Sequence, residues 1–181
     1  MKGLVIIGDY FEDTELIATI DVLKRNEDVI VLSSAMNRKE LISKCKVKIC
    51  ADVLLEEVNY KEFDFLFIPG GPGAFEILNQ IRKVDEVISY FACNNKLIAT
   101  ICAAPILVGR LGYLKNRKYT IYPGFEKYII DGKLISQPIV TDGNFITAKS
   151  MYYSIDLGLE IISYYYGDKR REKIFSSLKG E

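Results

Sequence analysis

Apolar residues recur along this chain in short continuous runs and in helical stripes, and the two alternate. Residues 2 to 8 (KGLVIIG) are nearly all apolar and too short for a helix, which predicts a buried strand. A helix is predicted from about Glu12 to Arg25, with Leu16, Ile17, Ile20 and Leu23 on one face. Residues 28 to 34 (DVIVLSS) read as a second strand and residues 40 to 50 as a strand pair or an irregular excursion. In SKCKVKIC the alternation places Cys45 inward and Cys50 on the face of the lysines. The run 63 to 69 (FDFLFIP) is a further strand that ends in Gly70, Gly71, Pro72 and Gly73, and residues 75 to 94 supply one or two helices. Cys93, near their end, reads as a packing residue. KYTIYP (118 to 123) reads as a strand and FEKYII as a short helix. PIVTDGNFITA (138 to 148) alternates on both sides of Asp142-Gly143, the signature of a hairpin. A helix from about Tyr152 to Tyr166 carries Tyr152, Ile155, Leu159, Ile162 and Tyr166 at helical spacing, as core or interface, and a terminal helix spans 168 to 178. Strands alternating with helices predict an α/β sandwich with a mostly parallel sheet.

One junction in this pattern carries chemistry. In KLIATICAAPILVGRLGYL (96 to 114) a buried strand stops at Cys102, and Ala103, Ala104 and Pro105 open an apolar helix. Proline in a first helical turn is tolerated because its N–H would have no partner there. Cys102 is therefore expected on a sharp strand-to-helix turn, with free N–H groups and a positive helix end around its sulfur, a setting that favours the thiolate. That is the logic of a nucleophile elbow with cysteine in place of serine. The competing reading is a buried core cysteine, the usual state of a free thiol.

Composition narrows the options. The 181 residues are 49% hydrophobic and 27% charged, with 24 basic and 24 acidic side chains, which fits one globular domain over 1–181. Zero formal net charge and no basic stripe argue against nucleic acid; Lys169, Arg170 and Arg171 read as helix solvation or helix-end charge. The apolar run at residues 4 to 7 is too short for a signal peptide or a membrane span, so the expected location is the cytoplasm, with no membrane partner. The four cysteines form no CxxC pair, and disulfides are not expected in a reducing compartment. Histidine is absent, which removes histidine-based metal sites, Ser-His-Asp triads and Cys-His dyads. A general base here must be a carboxylate, a lysine, a tyrosine or water; no metal or cofactor is expected.

In a parallel sheet, sites lie at the carboxyl ends of the strands. Three segments should meet there: Asp9 to Glu15, Gly70 to Gly73, and Cys102. Glu15 has Ala18, Thr19 and Val22 as helical neighbours and no cation among them, so no intrahelical ion pair accounts for it. Facing the thiol it would be protonated, because desolvation and a nearby thiolate both raise its pKa. The alternative is a helix-start acid, the reading adopted for Glu12 and Asp13. Gly70 and Gly71 permit close backbone approach and can aim N–H donors at an oxyanion.

Together, the opening strand, Glu15, the PGG turn at 69 to 71, the ICAAP elbow at 101 to 105, YPGFE at 122 to 126 and the TDGNFITA hairpin resemble the DJ-1/PfpI family over nearly the whole chain. Ala103 follows the cysteine where the protease-like branch typically has histidine, so the chain resembles the DJ-1 branch and is not expected to be a protease. The resemblance implies a flavodoxin-like three-layer sandwich, usually dimeric. It implies a reactive, oxidisable Cys102, a protonated Glu15 hydrogen-bonded to the sulfur, and N–H groups of Gly71 and Ala103 near the reacting oxygen. Activities attributed to the branch are cofactor-free conversion of glyoxals, repair of early glycation adducts, chaperone action and oxidative-stress sensing. Two departures stand out. Where several members carry a histidine before a proline, this chain has Tyr122, and a phenol is a poor base at neutral pH though it can donate a hydrogen bond. The segment Lys149-Ser150-Met151-Tyr152 lacks the branch's Gly-Pro-Gly run.

Two functions share these features. In one, Cys102 attacks a small carbonyl metabolite or glycated adduct, amides at Gly71 and Ala103 hold the oxyanion, and Glu15 moves the proton. In the other, Cys102 is oxidised and stabilised by the same groups, as a stress sensor or redox-regulated chaperone. A flavin carrier is disfavoured, because GDYFEDTE after the first strand would repel phosphate.

Overall fold

The computed structural model describes residues 1–181. Its frame is a seven-stranded sheet built from β1 (Lys2–Ile7), β2 (Val29–Ser34), β5 (Val53–Leu54), β6 (Phe65–Ile68), β7 (Leu97–Ile101), β10 (Ile139–Asp142) and β11 (Phe145–Ala148). The order is β10-β11-β7-β6-β1-β2-β5, and every pairing is parallel except the β10–β11 hairpin. Alternation along the strands divides the core into two layers. Leu4, Ile6, Leu66, Ile68 and Ile98 pack against α2 (Arg82–Cys93) and α3 (Pro105–Gly109). Val5, Ile7, Phe65, Phe67, Leu97 and Ala99 pack against α1 (Asp13–Lys24), α4 (Ser154–Tyr166) and α5 (Asp168–Lys179). The result is the α/β flavodoxin-like three-layer sandwich expected from the sequence. Glycine brings α1 and α4 together: a Cβ at Gly158 would lie 2.7 Å from the Cβ of Val22.

Several local expectations are corrected. On α1 the inward stripe is Glu15, Leu16, Thr19, Val22 and Leu23, while Ile17 is 52% exposed. The helix is turned so that the stripe containing Glu15 faces the sheet. Residues 40 to 50 form the hairpin β3 (Glu40–Ile42) and β4 (Lys48–Cys50), whose turn holds Lys46 at φ 69° and leaves Cys45 exposed rather than inward. Residues 73 to 80 make a π turn and a 3-10 turn before α2, and Cys93 at the end of α2 is exposed rather than packed. Of the run 118 to 123 only β8 (Lys118–Tyr119) is strand, paired with β9 (Lys133–Leu134), and the short helix after it is one 3-10 turn, Glu126–Tyr128. Helix α4 starts at Ser154, so Tyr152 falls in the preceding 3-10 turn, 80% exposed, outside the buried stripe. No helix is long and apolar enough to cross a membrane.

Candidate functional site

Cys102 is the first residue past β7, and its backbone is left-handed, φ 60°. That conformation is costly for a residue with a Cβ and persists only where the surroundings fix it. Here its N–H donates to Ala148 O at 2.9 Å, its carbonyl accepts from Tyr122 N at 3.0 Å, and Ala104 N donates to Ile101 O at 3.0 Å. Pro105 then opens α3 at its first position. The cysteine is thus gripped by the neighbouring strand β11 and by the segment that carries Tyr122.

The PGG turn supplies the second part. A Cβ on Gly70 would lie 2.8 Å from both Cys102 Cβ and Ile101 O, and 2.9 Å from Glu15 Oε2, so only glycine fits between elbow and acid. Gly70 N–H donates to Glu15 Oε2 at 2.7 Å. That donor holds the acid and is not available to an oxyanion, contrary to the role expected for Gly70. Gly71 has φ +85°, where a Cβ would lie 2.7 Å from Tyr10 O and Glu12 N, and its N–H favours the Cys102 thiolate. Neither its N–H nor that of Ala103 is taken by a backbone carbonyl.

Glu15 is fully buried, and its second oxygen, Oε1, has no hydrogen-bond partner. Burial pushes its pKa up to about 7, against the opposing effects of Gly70 N–H and the Cys102 side chain. Cys102 is pushed up to about 12 by burial first and then by the Glu15 carboxylate, while the N–H groups of Ala103 and Gly71 pull it down. The expectation of an intrinsically acidic thiol is therefore reversed at rest: desolvation and a facing carboxylate outweigh two amides and a five-residue helix. Burial raises both pKa values, and each group's charge raises the other's, so the two titrate as a pair in which the first proton is held between the sulfur and Glu15. Gly70 N–H favours carboxylate, and Gly71 and Ala103 N–H favour thiolate.

Cys102 and Glu15 line a pocket of about 400 Å³ with Gly71, Ala103 and Tyr122. Tyr122 stands at the wall, 46% exposed. Sequence reasoning missed two groups. Lys44, from the β3–β4 turn, enters the pocket wall and pairs with Glu12 at 3.1 Å; the carboxylate pulls its pKa up. Glu12, read as a helix-start acid, is buried and lines the same wall. The alternation of Lys44, Lys46 and Lys48 looks like a solvated strand face, and only the fold reveals that Lys44 reaches the pocket. Phe75, Phe125 and Met151 complete the apolar part of the lining.

Comparisons with known proteins agree with this architecture. The model of the DJ-1/PfpI family matches residues 1–164. Protein DJ-1 homolog B of Arabidopsis thaliana is 36% identical over 171 residues, which is 94% of this chain but 38% of that protein, so the chain spans well under half of that relative. Deglycase PfpI of Pyrococcus furiosus is 32% identical over 151 residues, 82% of this chain and 90% of the relative. Among solved structures, oxidized Toxoplasma gondii DJ-1 superimposes with a TM-score of 0.92 at 26% identity, covering 98% of this chain and 97% of that one. Drosophila melanogaster DJ-1beta gives a TM-score of 0.91 at 25% identity over 98% and 96% of the two chains. With its cysteine elbow on this sheet and a family match over nearly its whole length, the chain belongs to the DJ-1/PfpI family.

Proposed function

We propose that residues 1–181 form one cofactor-free enzyme domain that converts small reactive carbonyls through Cys102, as a glyoxalase or deglycase does. The observation that carries this reading is a cysteine and a fully buried carboxyl set side by side across Gly70 in a pocket with room for a substrate. A relative bearing the name deglycase supports the substrate class. With Glu15 ionised, the Cys102 thiol adds to the aldehyde carbon of an α-oxoaldehyde. The sulfur–carbon bond forms as the S–H proton passes to Glu15, and the new oxyanion meets the N–H groups of Gly71 and Ala103. Glu15 hands that proton on to the oxyanion, which gives the neutral hemithioacetal and frees the carboxylate to take the C1 proton; return of that proton at C2, with transfer of the C1 hydroxyl proton to the C2 oxygen, gives the thioester. Water then releases the hydroxy acid and restores the thiol, so the net change is addition of water. Tyr122 can orient the substrate by donating a hydrogen bond, and Glu15 carries the proton transfers that a histidine would share. Purified protein is expected to form lactate from methylglyoxal slowly, and Cys102→Ser to form none. Equal lactate formation by the Cys102→Ser variant refutes the reading.

One observation favours a second reading, a redox sensor. Glu15 Oε1 is buried without a partner, and when protonated it could donate to an oxygen added to the sulfur. A sensor, however, has no need of a pocket of this size. Absence of turnover combined with stoichiometric peroxide oxidation confined to Cys102 favours this alternative.

A further inference from the structure

The pocket beside Cys102 is larger and more aromatic than a three-carbon aldehyde requires. Its volume of about 400 Å³ lies within the range of sites that enclose drug-sized ligands, roughly 300–1,000 Å³. Its aromatic part is a braced set of rings. Phe75 meets Phe125 edge-on at 5.4 Å and 82°, and Phe125 meets Tyr122 at 6.4 Å. Tyr128, which does not line the pocket, supports Phe75 at 5.2 Å and Phe125 at 6.2 Å. Met151, half exposed, adds a thioether of the kind that packs well on aromatic rings. Tyr122 and Met151 leave apolar surface open to solvent at this one place beside the nucleophile.

Charge selects further. Lys44 is the only cation in the lining, and its partner Glu12 already neutralises it. Glu76 adds an exposed carboxylate. A phosphate or carboxylate on the substrate would meet no free positive charge and would face added negative charge. The walls therefore suit an uncharged group that is flat and apolar.

We propose that Phe75, Tyr122, Phe125 and Met151 form an aryl-binding subsite, and that Cys102 acts on an uncharged α-oxoaldehyde bearing an aromatic group in preference to methylglyoxal. The inference rests on the carbonyl-converting reading above. The chemistry balances as before: phenylglyoxal and water give mandelate, through addition of the thiol to the aldehyde carbon, movement of the C1 proton to the adjacent carbon, and hydrolysis of the thioester. Nothing is oxidised or reduced overall, and no co-reactant other than water is needed.

The test measures mandelate formed from phenylglyoxal and lactate formed from methylglyoxal, each as kcat/KM, and compares their ratio. Burying an aryl group in place of a methyl should favour phenylglyoxal by about tenfold or more. Phe75→Ala and Phe125→Ala should each bring the ratio down toward one; because it is internal, a general loss of active protein does not move it. If either variant fails to fold, Met151→Ala, at an exposed position, should still lower the ratio by about threefold. A wild-type ratio near one, or a high ratio that none of these variants lowers, overturns the subsite. If neither aldehyde is turned over, the enzymatic reading itself has failed. The subsite then stands or falls on whether acetophenone, but not acetone, slows alkylation of Cys102 by iodoacetamide; no protection overturns it too.

Discussion

Glu15 is the residue on which the account turns. Its pKa rises from an ordinary 4.5 to about 7 because the carboxyl is buried. The native state therefore holds this proton more tightly than the unfolded chain does. The resulting stability is fully present below 4.5, declines as pH rises, and is gone above about 7. Its size is roughly 3 kcal/mol. Glu15→Gln has no proton to lose, so the variant should gain stability relative to wild type by roughly that amount between about pH 4.5 and pH 8. Urea denaturation at the two pH values reads this directly, and a constant difference would mean that Glu15 titrates as an ordinary surface acid. Tyr122 offers a second check at this scale. Tyr122→Phe should cost less turnover than Glu15→Gln, and Tyr122→His should raise turnover if the added base reaches the substrate, since general acid–base help is worth about 10²–10⁴-fold. A greater loss from Tyr122→Phe than from Glu15→Gln would transfer the proton-handling role to the phenol.

Elements place these residues, and α1 matters most because Glu15 rides on it. Its position depends on the close crossing with α4 at Gly158, where an added Cβ would lie 2.7 Å from Val22 Cβ and 3.2 Å from Thr19 O. Gly158→Ala should cost about 1–3 kcal/mol, the usual range for overpacking a close contact, and should lower turnover as Glu15 moves with its helix. Thermal denaturation and lactate formation together test this; unchanged values in both would show that α1 has room to shift. The same helix shows what a sequence can and cannot say. The absence of a cationic neighbour around Glu15 marks its stripe as unusual, and that stripe is the buried one. Helical spacing puts Ile17 on one face with Leu16, Ile20 and Leu23, yet helix rotation is set by what the sheet and α4 present, and Ile17 faces solvent. The elbow at Cys102 was legible because a β-branched run, small residues and Pro105 encode strand, turn and helix locally. Lys44 was not legible, because its place in the wall depends on how a distant hairpin folds over the first helix. The thiol's resting acidity was misjudged for a related reason: the helix end is visible in the sequence, whereas the depth of burial is not.

At the scale of the whole molecule, the parallel order of the sheet brings β1, β6 and β7 side by side, so that their carboxyl ends deliver α1, the PGG turn and the elbow to one place. Strands this buried on both faces form a rigid base, on which the site can hold a strained cysteine and a desolvated acid. Ile17 on α1 and the hairpin residues Ile42 and Val47 are exposed. A homodimer, as the family resemblance implies, should sediment at micromolar concentration with twice the chain mass; a single species of chain mass would contradict it.

The central claim is that Glu15, as a base titrating near neutrality, activates Cys102 toward a carbonyl. The pH dependence of kcat/KM for lactate formation tests it most directly, since it reports the free enzyme's essential base. The wild type should rise about tenfold per pH unit below about 7 and level off above, and Glu15→Gln should be slower by about 10²–10⁴-fold with that rise absent. A wild-type profile without an inflection near 7, or the same inflection in Glu15→Gln, would contradict the account.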